Sequence, residues 1–145
     1  MIAIDTNVLL RYLLDDDKTQ SKRAAELILG NAPIIVTDVV LTETIWTLKG
    51  KRYNLDKEAI IKVIHSLFEE PSICFEDSQT VWRSLNDYKH SKPKTSGGRR
   101  KETGFSDALI VNKARFIAAW KGMLFEGSYT FDAAVLQLPG AKKPG

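Results

Sequence analysis

Short, continuously apolar runs separated by longer amphipathic stretches constrain this chain most. Met1 to Ile4 is one such run, Ile34-Ile35-Val36-Thr37 after Pro33 is a second, and Ile73-Cys74-Phe75 after Pro71 is a third. A strand that alternates apolar and polar residues has one wet face, whereas one that is apolar throughout is covered on both faces, as in a parallel sheet. Parallel neighbours need a crossover, and helical patterns fill the gaps. Helices are predicted over Val8–Leu14 and Lys18–Leu29, then over a helix opened by Thr37 or Asp38, then over Leu55–Phe68 and Ser78–Tyr88. A further helix runs from Asp107 to about Trp120, capped by Ser106, with Ile110, Val111, Ala114, Ile117 and Ala118 on its apolar stripe and Gly122 at its end. A last strand falls within Met123–Phe131 and reaches Asp132, and the tail beyond Leu138-Pro139-Gly140 reads as a short edge strand. The predicted architecture is a three-layer α/β/α sandwich with a central, mostly parallel sheet, in one domain spanning residues 1–145.

Charge narrows the function classes. The 21 Lys and Arg against 18 Asp and Glu give a net charge of +3, and the excess is local. Lys89, Lys92, Lys94, Arg99, Arg100 and Lys101 lie between positions 89 and 101 with no acid, which leaves the rest of the chain 15 bases against 18 acids. With Pro93 and Gly97-Gly98 and no apolar side chain, the segment from about 89 to 104 is predicted as a mobile basic loop. The single cysteine, Cys74, excludes an intramolecular disulfide and a cysteine-based zinc site, and suits a reducing compartment. No apolar run approaches the roughly 18 residues of a membrane span, so a cytoplasmic protein without a membrane partner is expected.

Four acids stand out. Asp5 and Asp132 fall directly after strands, where ligand sites gather in open parallel sheets. Glu43 lies beside Val39 and Trp46 on a wheel of about 100° per residue, within a helix apolar on nearly all sides and therefore expected to be buried. Asp107 opens its helix on the side predicted to face the core. Each has a local structural alternative: Asp5 as a helix cap, Asp132 as a turn residue, Asp107 at the positive end of a helix dipole. Taken together, inward carboxylates with no basic partner point to a divalent cation, because an unpaired buried charge is costly. Phosphodiester hydrolysis with Mg²⁺ or Mn²⁺ is the chemistry that uses such a cluster: hard cations take oxygen ligands and activate water without histidine. His65 reads as a packed helix residue and His90 lies at the mouth of the basic loop, and the glycines form no phosphate-binding fingerprint.

At these residues the sequence resembles the PIN domain family of metal-dependent ribonucleases, and within it the VapC-type toxins. The resemblance rests on Ile2-Ala3-Ile4-Asp5-Thr6-Asn7-Val8-Leu9-Leu10, Thr37-Asp38-Val39-Val40-Leu41-Thr42-Glu43, Phe105-Ser106-Asp107-Ala108-Leu109-Ile110 and Tyr129-Thr130-Phe131-Asp132, in the family's order. It implies that Asp5, Glu43, Asp107 and Asp132 are catalytic and ligate Mg²⁺ or Mn²⁺, supported by Thr6, Asn7 and Thr130. It further implies RNA as substrate, a homodimer, and a small antitoxin as partner in a type II toxin–antitoxin pair. The chain departs from the pattern at Gly104, where many relatives carry a further acid, and in the length of its basic loop. The basic loop is either a solvated insertion or, since it feeds into the Asp107 helix, a segment whose Lys92, Lys94, Arg99, Arg100 and Lys101 are expected to reach RNA phosphates. The other functions compatible with these residues are a PIN nuclease of RNA processing and a catalytically silent module that binds RNA or protein.

Overall fold

The computed structural model describes all residues, Met1–Gly145. The three apolar runs form β1 (Ile2–Ala3), β2 (Ile34–Val36) and β3 (Ile73–Phe75), a parallel sheet in the order β1-β2-β3. Ile2 stands opposite Ile34, and Ile34 opposite Ile73. Ile34 and Val36 of the middle strand are fully buried, as a strand with neighbours on both sides requires.

The crossovers are helix pairs, α1 (Thr6–Leu14) with α2 (Lys18–Ile28), and α3 (Asp38–Lys49) with α4 (Lys57–Glu69). Each begins at a capping side chain that accepts from a backbone N–H of the first turn: Asp5, Asp17, Thr37 and Asp56. Asp15, at φ 48°, ends α1 in the left-handed conformation that short polar residues tolerate. Leu9, Ile28, Leu41, Leu48, Ile60 and Ile64 are fully or almost fully buried, each contributing about 1.5–3 kcal/mol of transfer free energy.

These elements make one compact unit, Met1–Glu76; a second comprises Asp77–Gly145. The second holds α5 (Ser78–His90), β4 (Lys94–Ser96), β5 (Arg99–Lys101), α6 (Phe105–Trp120), β6 (Ser128–Tyr129), a 3₁₀ turn at Val135–Gln137 and β7 (Ala141–Lys142). Helices α5 and α6 are joined by an edge contact of Tyr88 on Phe105, ring centroids 6.2 Å apart, and by Asn112 Nδ2 donating to Asp87 Oδ2 at 2.9 Å. Ala108, Val111, Val135 and Leu138 cluster under the tail. Gly122, at φ 67°, stops α6: its N–H bonds the Ala119 carbonyl while that of Met123 bonds Ala118, which closes the last turn. The tail does pair as an edge strand, β7 running parallel to β6.

Several expectations change. The segment predicted as a mobile loop holds an antiparallel hairpin, with Lys94 opposite Lys101, Thr95 opposite Arg100 and Ser96 opposite Arg99. Gly97 and Gly98, both at positive φ, make the tight turn that matches strand twist. Helix α6 starts at Phe105 with Gly104 as its N-cap, not at a Ser106 cap. Its buried residues are Phe105, Ala108, Leu109, Val111 and Asn112, so the predicted stripe was turned: Ile110 is 62% exposed, and Ala114 and Ile117 are also exposed. Helix α3 is not buried all round either. Leu41, Thr44, Ile45 and Leu48 form its inner face, whereas Val39 is 63% and Trp46 80% exposed, and Glu43 between them is exposed too.

Candidate active site

In the first unit, the end of β1 delivers Asp5 to the start of α1. Its Oδ1 accepts from the Val8 N–H at 3.0 Å, a helix cap, and Oδ2 has no protein partner. The next residue, Thr6, donates its hydroxyl to Glu43 Oε2 at 2.6 Å, tying α3 to the same strand end and leaving Oε1 free. Glu43 therefore reaches Asp5's neighbourhood from an exposed helix face rather than from within the core. Asn7 lies on a cavity of about 290 Å³ whose lining includes Val8, Arg11 and Gln20. Arg11 is already engaged there: it donates to Gln20 Oε1 at 3.0 Å and to both oxygens of Asp16 at 2.8 and 2.9 Å. Those hydrogen bonds hold the Asp16 carboxyl below the usual carboxylate range and push the guanidinium up.

In the second unit, Asp107 and Asp132 belong to one chain of hydrogen bonds. Asp107 Oδ2 accepts from the Gly104 N–H at 2.7 Å, so this half-buried acid closes the first turn of α6. The adjacent Thr103, only 2% exposed, donates to the Ala134 carbonyl at 2.8 Å. Ala134 N–H in turn donates to Asp132 Oδ1 at 2.8 Å, and Asp132 N–H to Thr130 Oγ1 at 3.0 Å. Asp107 Oδ1 and Asp132 Oδ2 remain without a protein partner. Any carbon substituent at Gly104 would stand 3.3 Å from Asp107 Oδ2, so this glycine gives the acid its room.

Two residues of this chain of contacts were missed from the sequence, Thr103 and Gln137. The Gln137 amide accepts from Lys92 N–H at 2.8 Å and donates to Lys92 O at 2.8 Å, Thr103 Oγ1 at 2.9 Å and Ala134 O at 2.9 Å. It thus closes the base of the β4–β5 hairpin onto the turn that follows Asp132. A glutamine at the end of a short turn, between Leu136 and Leu138, carries no pattern that announces such a role.

The acids are distributed two to a unit, and in neither unit do three carboxylate, imidazole or thiol groups gather closely enough to hold a metal ion. The donors are oxygens throughout, which suits Mg²⁺ or Mn²⁺. Mg²⁺ in particular binds through one or two carboxylates and keeps much of its water.

The parallel β1-β2-β3 sheet with helical crossovers, and acids at the strand end and helix start, define a PIN domain fold, mixed α/β with six helices. The chain belongs to the PIN domain family, whose model matches residues 2–118. Among solved structures it is similar to the Mycobacterium tuberculosis toxin VapC20, described as cleaving the Sarcin-Ricin loop, at 14% identity, 94% coverage of each chain and a TM-score of 0.39. No curated protein sequence matches it.

Proposed function

We propose that the protein is a metal-dependent endoribonuclease that hydrolyses RNA phosphodiester bonds. As a finer reading, it is the toxin of a type II toxin–antitoxin pair, cytoplasmic, homodimeric and restrained by a small antitoxin protein. One observation carries the nuclease reading: Asp5, Glu43, Asp107 and Asp132 each commit one carboxylate oxygen to a hydrogen bond within the protein and keep the other free. The bond fixes the carboxyl's orientation, and the free oxygen is available as a ligand. The toxin reading rests on the resemblance of the four acid-bearing segments to VapC-type toxins.

Asp5, Glu43, Asp107 and Asp132 would hold Mg²⁺ or Mn²⁺. Such an ion supplies Lewis acidity toward a phosphoryl oxygen and lowers the pKa of water at neutral pH. The chain's own groups set the stage for that chemistry. The Thr6 hydroxyl orients the Glu43 carboxylate, and Thr130 fixes the backbone on which Asp132 stands. Asn7, in the first turn of α1 two residues after Asp5, is a further supporting residue. Lys92, Lys94, Arg99, Arg100 and Lys101, all on or beside the hairpin that leads into the Asp107 helix, give that region the positive charge that draws RNA phosphates.

Asp5→Asn tests the reading cleanly, because asparagine caps a helix about as well as aspartate. The variant should keep the α1 cap and the wild-type melting temperature while losing Mn²⁺-stimulated RNA cleavage. It should also lose any growth arrest that the wild type causes on expression. Full cleavage by Asp5→Asn refutes the assignment. Absence of metal-dependent cleavage in the wild type points instead to a binding module.

A further inference from the structure

The β4–β5 hairpin is not a uniformly basic loop. Residues paired directly across an antiparallel ladder project to the same face, and successive residues alternate. The pairing therefore puts Lys94, Ser96, Arg99 and Lys101 on one face, and Thr95 and Arg100 on the other. On the second face Arg100 already has an acid within reach, Glu102 Oε1 at 3.8 Å. On the first face three exposed cations have no carboxylate partner. Lys94 and Lys101 stand opposite one another, with Cβ atoms about 5 Å apart in such pairs, and like charges so placed destabilise a ladder. Such a face is unfavourable on its own: the Gln137 clamp at its base holds the hairpin in place, and an anion with repeated charges laid along the face would relieve the repulsion.

We propose that the Lys94–Arg99–Lys101 face of the hairpin is the site that grips the phosphodiester backbone of an RNA strand. Gln137 is its positioning residue, holding the arm to the turn after Asp132. The choice of RNA rests on the ribonuclease reading; the polyanion-binding face rests on the pairing register alone. Residues 94–101 contain no aromatic side chain, so the arm has nothing to stack on bases. It contacts backbone and is blind to sequence, leaving any choice of cleavage site to other parts of the protein.

The test uses the full chain, a fluorescent oligouridylate and fluorescence anisotropy in EDTA, so that binding is read without hydrolysis. Each phosphate neutralised on a single strand adds about −0.7 to the slope of log K against log salt. Lys94→Gln/Arg99→Gln/Lys101→Gln should therefore lower the magnitude of the slope by about 2. A fourfold rise in salt then weakens the wild type about 18-fold more than the variant. The melting temperature of the variant should equal or exceed that of the wild type, since the Lys94–Lys101 repulsion is gone. Thr95→Ala/Arg100→Ala, which removes one charge from the other face, should leave the slope unchanged to within about 0.2, whereas a phosphate contact there would cost about 0.7. A loss of about 0.7 in that variant, or a loss below about 0.7 in the triple variant, overturns the one-faced site. Unchanged RNA binding, with poly-glutamate binding lost in the triple variant, overturns RNA in favour of an acidic protein segment. The ribonuclease reading fails on a different result, cleavage by Asp5→Asn.

Discussion

Replacing Gln137 with alanine should loosen the hairpin's base without unfolding the unit around it. The side-chain amide has one acceptor oxygen and two hydrogens, yet it faces three acceptors besides the donor at Lys92. It therefore makes the equivalent of three hydrogen bonds, worth about 3 kcal/mol at a net 1 kcal/mol each. Part of that is recovered in the variant. Lys92 is exposed, so its N–H and C=O return to water, and the Ala134 carbonyl keeps its bond from Thr103. The remaining loss is about 1–2 kcal/mol, concentrated where Thr103 is buried. Hydrogen exchange followed by mass spectrometry reads this directly. Peptides covering residues 90–104 should exchange about tenfold faster, at 1.4 kcal/mol per factor of ten. Peptides from the first three turns of α5 and from the middle of α6 should be unchanged, and the melting temperature should fall by no more than about 8 °C. Gln137→Glu should open the base further, since it aims a carboxylate at two carbonyl oxygens. Exchange within twofold of wild type across 90–104 refutes the clamp. Uniform acceleration over the whole second unit refutes its being local.

Four other outcomes follow from named contacts. Thr6→Val keeps the shape of the side chain but removes the donor to Glu43, so it should lower kcat by about 10–100-fold with little change in melting temperature. Gly140→Ala meets both strain at φ 92° and a clash, since the new carbon would sit 2.7 Å from Arg115 Nη2 and 3.1 Å from Phe125 Cε1. It should cost about 2–4 kcal/mol, whereas Gly122→Ala, at φ 67° in open space, should cost about 1 kcal/mol; equal costs in thermal melts contradict the steric argument. Gly98→Val should unravel the hairpin turn and show it as accelerated exchange at 94–101. Arg11→Leu should return the Asp16 carboxyl, followed by carbon-detected NMR, to the ordinary carboxylate range. Because its pKa is depressed in the folded state, the pair's stabilisation is present above the ordinary value and is lost as pH falls through the lowered one. The small difference in melting temperature between wild type and Arg11→Leu should therefore shrink as the solution is acidified.

The parts legible in the sequence are those where one local rule decides. The strands β2 and β3 are announced by unbroken apolar runs, and Asp5 and Thr37 lie where a helix needs an acceptor for its first N–H groups. The hairpin was obscured because its strands bury nothing. Residues 94–101 are exposed throughout and stand through backbone pairing, two glycines and one distant glutamine, so hydropathy had no pattern to offer. Gly97-Gly98 was the available signal, and it marks a turn equally in a loop and in a hairpin. Helix α6 misled for a different reason. Ile110 and Ile117 are apolar yet exposed, and a stripe drawn through them turns the apparent inner face away from the buried Phe105, Leu109 and Asn112.

The same distinction governs the four acids. Their local alternatives in the sequence were a cap, a turn and a helix dipole. In the structure Asp5 does cap α1, Asp132 does accept from the turn after it, and Asp107 does close the first turn of α6. These local roles and metal ligation do not compete, because a carboxylate has two oxygens and each cap consumes one. A cap indeed prepares a ligand: with Oδ1 bound to a backbone N–H, the direction of Oδ2 is set by the helix rather than by a free rotor, which lowers the entropy lost on binding. Glu43 lacks a backbone donor and receives a hydroxyl instead, from the residue next to Asp5. This acid's orientation therefore depends on a second side chain. Thr6→Val should accordingly impair activity through Glu43 alone, and Thr6→Ser, which keeps the donor, should restore it.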